Sequence, residues 1–125
     1  MSYNNKKVIL VDDNNMMLKI ATKVLEKYNF NKIDTKTNAF DCMQAINQNE
    51  YDLIIADDMM PEMSGTEMMF KLKEAENFKI PIVVLTGNVE IPNAKEHYLN
   101  LGFDDFLAKP INLEELDRVI KKFIL

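Results

Sequence analysis

Two short apolar runs, Val8 to Val11 and Leu53 to Ala56, each stop against a pair of aspartates, Asp12-Asp13 and Asp57-Asp58. Four apolar residues in a row, without polar alternation and bounded by polar residues, read as strands buried on both faces, the habit of parallel sheets covered by helices. Such strands deliver the residues after them to the carboxyl edge of the sheet, where open α/β folds keep their ligands. In both runs those residues are carboxylates. Taken locally, Asp57 to Gly65 also reads as a plain turn punctuated by Pro61 and Gly65, so the rest of the chain must decide.

The remaining segments alternate between strand and helix. Leu18, Ala21, Val24, Leu25 and Tyr28 recur at the three-and-four spacing of a core-facing helix, with Asp13 or Asn14 as its cap. Asn31 to Thr37 is a weak strand, strongly apolar only at Ile33, which suits a sheet edge. Asn38 caps a predicted helix through Ala39, Phe40, Met43 and Ile46. A third helix is expected through Met68, Met69, Leu72 and Ala75. Ile80 to Leu85 is a strand ending in Thr86, and Pro92 at a first turn opens a helix closed by Gly102. Phe103 to Ala108, interrupted by Asp104-Asp105, is a last short strand leading into Lys109-Pro110. Asn112 and Glu115 have capping-box spacing before a helix on Leu116, Val119, Ile120 and Phe123.

Strict alternation of five strands with five helices predicts an α/β fold: a doubly wound, flavodoxin-like parallel sheet of order 2-1-3-4-5, with helices on both faces. In that order strands one and three are neighbours, so Asp12, Asp13 and Asp57 meet at one edge. Length and composition fit one domain over residues 1–125, with a core at about 7–123 and no output domain after the fifth helix. The formal charge of −5, without a basic run, argues against direct nucleic-acid binding. No apolar stretch approaches a bilayer span, and the single cysteine, Cys42, suits a core position in a reducing cytoplasm. Five of the nine methionines fall between Met59 and Met69, and core filling is preferred there to a metal or partner surface.

Three converging carboxylates repel one another unless a cation sits among them, and hard oxygen ligands with room for water suit Mg2+. Strand four adds the Thr86 hydroxyl at the same edge and strand five adds the Lys109 ammonium. An acceptor carboxylate, a divalent cation, a hydroxyl donor and a fixed positive charge are the parts that phosphoryl transfer needs.

The ordered set of Asp12-Asp13, Asp57 followed by Met60-Pro61 and Gly65, Thr86, and Lys109-Pro110 resembles the receiver (response-regulator) domain of two-component signalling, across Lys7 to Phe123. The resemblance implies that Asp57 accepts phosphate from a histidine kinase or histidine phosphotransfer protein, catalysing its own phosphorylation and dephosphorylation without being an enzyme in the usual sense. It implies Mg2+ bound by Asp13, Asp57 and the main-chain carbonyl of Met59, with Asp12 acting chiefly through water. Thr86 would hydrogen-bond the phosphoryl group and Lys109 would pair with it, beside a cis bond to Pro110. Phe106 would be the aromatic switch residue, responding by burial alone because it lacks a hydroxyl. The switched face would comprise the fourth helix, fifth strand and fifth helix. Gly87 would leave room for phosphate, and Met59 and Asn88 would influence its hydrolysis. A stand-alone regulator and the receiver of a hybrid histidine kinase or longer regulator remain open, as do the downstream protein partner and a phosphorylation-dependent dimer.

Other readings fit less well. An aspartate-nucleophile phosphatase needs a second acid two residues beyond the nucleophile, where Met59 stands, and a substrate cap that the chain lacks. A flavin or nucleotide domain needs a glycine-rich phosphate loop, and the three glycines are isolated. His97 reads as a solvated helix position. A degenerate receiver acting only as a docking module keeps the fold without the chemistry.

Overall fold

In a computed structural model, which describes residues 3–87 and 90–124, five parallel strands form one sheet in the order β2-β1-β3-β4-β5. The strands are β1 (Lys7–Val11), β2 (Lys32–Lys36), β3 (Leu53–Ala56), β4 (Ile82–Thr86) and β5 (Asp105–Ala108). The helices between and after them are α1 (Asn15–Leu25), α2 (Ala39–Gln48), α3 (Gly65–Lys73), α4 (Ala94–Leu101) and α5 (Leu113–Phe123), with a 3₁₀ turn, Glu26–Tyr28, after α1. Sheet order and alternation match the sequence expectation.

Side-chain alternation on the strands divides the core. Ile9, Val11, Ile54, Ala56, Ile82 and Val84 face α2, α3 and α4, whereas Val8, Leu10, Leu53, Ile55, Val83 and Leu85 face α1 and α5. The central strands are apolar on both sides because both sides are covered. β2, at the edge, is half-buried at best. Cys42 is buried on the α2 side, where burial pushes its thiol up to about 12, so it is an inert core residue.

Helix starts obey side-chain chemistry. Asn14, Asn38 and Asn112 accept backbone N–H bonds at the starts of α1, α2 and α5, and Ser64 does so for α3. The Glu115 carboxylate meets Arg118 in place of the return bond of a capping box. Several expected boundaries move: β4 begins at Ile82 rather than Ile80, and α3 ends at Lys73, short of Ala75. Asn93 adopts left-handed φ of 56° and α4 begins only after it, which leaves Pro92 outside the helix. Phe103 and Asp104 precede β5 in a turn docked on β4, where the Asp104 carboxylate accepts the Ile82 N–H at 2.8 Å.

Candidate functional site at the carboxyl edge

Backbone bonds between strand ends bring the site together. The Asp57 N–H bonds the Val11 carbonyl at 2.9 Å, which sets Asp57 beside the start of the Asp12-Asp13 pair. On the other side, the Lys109 N–H bonds the Thr86 carbonyl at 2.9 Å, and the Lys109–Pro110 peptide is cis. Thr86 is wholly buried at the end of β4. Asp12 and Asp57 are buried and Asp13 is exposed, yet a carboxylate oxygen of each lies within 4.8 Å of the others.

One ammonium meets these carboxylates. Lys109 Nζ stands 2.7 Å from Asp12 Oδ2 and 3.3 Å from Asp57 Oδ2. The other Asp12 oxygen accepts the Asn14 N–H at 2.9 Å, so both its oxygens are engaged by the protein. Burial and the neighbouring Asp12 charge push Asp57 up to about 6, against the pull of Lys109 and a bond from the Met59 N–H. Burial works against the Lys109 ammonium too, but the bond to Asp12 and the adjacent carboxylates hold its pKa above the ordinary lysine value. The cluster keeps more negative than positive charge. A set of hard oxygen donors, partly open to solvent at Asp13, could hold a divalent cation that would relieve the excess.

The other sequence-derived residues divide by position. Met59 is exposed beside the site, and a Cβ on Gly87 would meet only Lys109 carbons, at 3.9 Å. Phe106 is half-buried on β5, away from the carboxylates, and stacks on Tyr98 with centroids 5.8 Å apart. His97 is exposed, as expected of a solvated position. Asn88 lies outside the described residues.

Two supports escaped the sequence reading. Gly65 is more than punctuation: a Cβ there would stand 2.2 Å from the Asp57 carbonyl, so α3 can start against the loop after Asp57 only without a side chain. Asp58 closes that loop. Its carbonyl accepts the N–H groups of Met60 and Gly65, and its Oδ1 accepts both the N–H and the hydroxyl of Thr66. The only local sign was a carboxylate eight residues before a hydroxyl at a helix start.

Comparison with known proteins agrees with this geometry. The chain is 35% identical to the Escherichia coli aerobic respiration control sensor protein ArcB over 119 residues, which is 93% of this chain and 15% of that protein. The curated relatives are longer, and the chain spans between 7% and 57% of their lengths. Among solved structures, the receiver domain of the Francisella response regulator 1452 is 31% identical with a TM-score of 0.74, covering 95% of this chain and 96% of that one. The chemotaxis response regulator CheY4 of Vibrio cholerae is 25% identical with a TM-score of 0.81, covering 96% and 99%. These likenesses favour the signalling reading over a phosphatase. The description "Response regulator receiver domain" matches residues 8–121, nearly the whole sheet and every helix, and the chain therefore belongs to that family.

Proposed function

We propose that the chain is a phospho-accepting receiver in which Asp57 takes a phosphoryl group from a phosphohistidine donor, a histidine kinase or histidine phosphotransfer protein. The observation that carries this reading is the buried Asp57 carboxylate sharing Lys109 with Asp12, with Asp13 at the solvent side of the same cluster. Above a pKa of about 6, Asp57 is the anion that a nucleophile must be. Its oxygen attacks phosphorus as the P–N bond breaks, and the donor ring, protonated on its other nitrogen, leaves as neutral imidazole.

Asp13, Asp57 and the Met59 carbonyl would hold Mg2+, and Asp12, its oxygens already engaged by Lys109 and Asn14, would act through water. When bound, the ion offsets charge that develops on the phosphoryl oxygens. Lys109 pairs with the product phosphate and the Thr86 hydroxyl donates to it, while Gly87 leaves an open approach. Water attack at the same centre returns the free carboxylate, and Met59, exposed beside the site, would influence its rate. Phe106 turns inward as Thr86 moves, which reshapes the face of α4, β5 and α5. That face exposes Leu99 and Leu113, and is where a downstream partner or a second phosphorylated copy would dock. Residues 1–125 would act as one receiver unit. The inert, reduced Cys42 suits the cytoplasm. Among the described residues no helix is long and apolar enough to cross a membrane.

Intact mass after incubation with acetyl phosphate tests the reading. The expected result is a gain of one phosphoryl group that requires magnesium and is absent in Asp57→Asn. A folded native chain that gains none, or an equal gain in the variant, would overturn it.

A further inference from the structure

α4 packs on β5. Its first turn has no side-chain cap, and Tyr98 is its only buried residue. Three of that side chain's contacts reach other elements. Its ring stacks on Phe106 at an interplanar angle of 24° and meets Phe103 edge-on at 5.9 Å. Its hydroxyl donates to Asp58 Oδ2 at 3.0 Å, across 40 positions of sequence. The other Asp58 oxygen is bound to Thr66, and the Asp58 carbonyl ties down Met60 and Gly65. Asp58 is therefore the keystone of the loop that holds the acceptor, and Tyr98 joins that keystone to α4 and β5.

We propose that Tyr98 is a positioning residue that transmits the state of the Asp57 loop to α4 through its phenolic bond to Asp58. The proposal rests on the phospho-acceptor reading and adds a route that does not pass through Thr86. Phe106, at the position expected to switch, has no hydroxyl, but Tyr98 stacked upon it has one. Any shift of the loop upon phosphorylation moves the Asp58 carboxylate. The phenol must move with it or let go, and either changes how firmly the only buried anchor of α4 is held. A hydrogen bond to a carboxylate is strong enough to matter on that scale, whereas the ring contacts would survive without it. A helix whose first turn is uncapped and whose one fully buried side chain is Tyr98 responds to a change at that side chain.

Tyr98→Phe keeps the ring and removes the bond, and the half-buried Asp58 can take water in its place. Amide hydrogen exchange over residues 94–101 is measured with and without beryllofluoride and magnesium, an unreactive stand-in for the phosphoryl group, alongside phosphate gain from acetyl phosphate. In Tyr98→Phe, α4 should exchange about tenfold faster than in the native chain before any addition. Its response to beryllofluoride should fall at least fivefold, with α1 and α5 unchanged and phosphate gain retained. Asp58→Asn combined with Tyr98→Phe should add no further loss of response beyond Asp58→Asn alone, since both act on one bond. Equal responses in native and Tyr98→Phe chains, with phosphate gained by both, would overturn the relay and leave the acceptor reading intact. Loss of phosphate gain in Tyr98→Phe would place the phenol in assembly of the site and also overturn the relay. No phosphate on the native chain would overturn both.

Discussion

Asp57 and Asp105 are both buried aspartates at ends of strands, 5% and 2% exposed, yet their surroundings are opposite. Asp57 stands among two other carboxylates with one ammonium to share, and its pKa rises to about 6. Asp105 starts β5 on the α5 side facing two cations, one of which, Arg118, it shares with the exposed Glu115. Arg118 grips it with two nitrogens at 2.7 and 3.0 Å, and Lys122 adds a third contact at 3.2 Å. Burial would raise the Asp105 pKa, but the bonds from Arg118, the Phe106 N–H and Lys122 hold it well below the usual carboxylate range. One buried acid is satisfied by its own fold; the other is left with surplus charge at an open sheet edge. The first is structural, and the second is where the proposed cation and phosphoryl group would gain by binding.

The largest expected effect comes from breaking the satisfied member. Arg118→Met leaves Asp105 buried with only Lys122 and the Phe106 N–H as partners and should cost about 3 kcal/mol of stability in urea unfolding. A cost near zero would show that water or Lys122 replaces the guanidinium.

Removing the surplus charge should have the opposite sign. Between the ordinary carboxylate value of 3.8 and about 6, the folded chain keeps a proton on Asp57 that the unfolded chain has lost. Stability attributable to this group therefore falls as pH rises through that window, and the penalty is complete above it. In EDTA at pH 7.5, Asp57→Asn should be more stable than the native chain by at most about 3 kcal/mol, and the advantage should vanish below pH 4. An Asp105→Asn variant should lose stability under the same conditions, which sharpens the contrast.

The smallest effect concerns the cation. Magnesium at ten times its dissociation constant should raise native stability by about 1.4 kcal/mol, read as a shift in thermal midpoint. Asp13→Asn should need far more magnesium for the same shift, whereas Arg118→Met should keep the native dependence. Equal magnesium responses in Asp13→Asn and the native chain would remove Asp13 from the proposed metal site.

Much of the site was readable because its residues come directly after strands. Asp12, Asp13, Asp57, Thr86 and Lys109 each end an apolar run, and the alternation of elements sets the sheet order that brings those ends together. Asp105 was read only as an interruption of the last strand, and its burial became clear once β5 was placed. With Leu107 facing α5, the two-residue strand period puts Asp105 on the same buried side, where a charge demands a partner. Which partner was not legible, because Arg118 and Lys122 lie on a helix whose rotation about its axis depends on packing.

The sequence by itself determined the fold, the sheet edge and the kinds of group gathered there, since hydrophobic period and strand order are carried by local pattern. Only the tertiary structure decided how the charges share partners: Lys109 between Asp12 and Asp57, Arg118 on Asp105, and the Tyr98 phenol on Asp58. Those pairings join residues from 13 to 97 positions apart, and hydrogen bonds exist only where atoms come within about 3 Å in the right direction. No local pattern encodes such an approach. It is set when helices settle on the sheet and each buried polar group must find a partner in the space that remains.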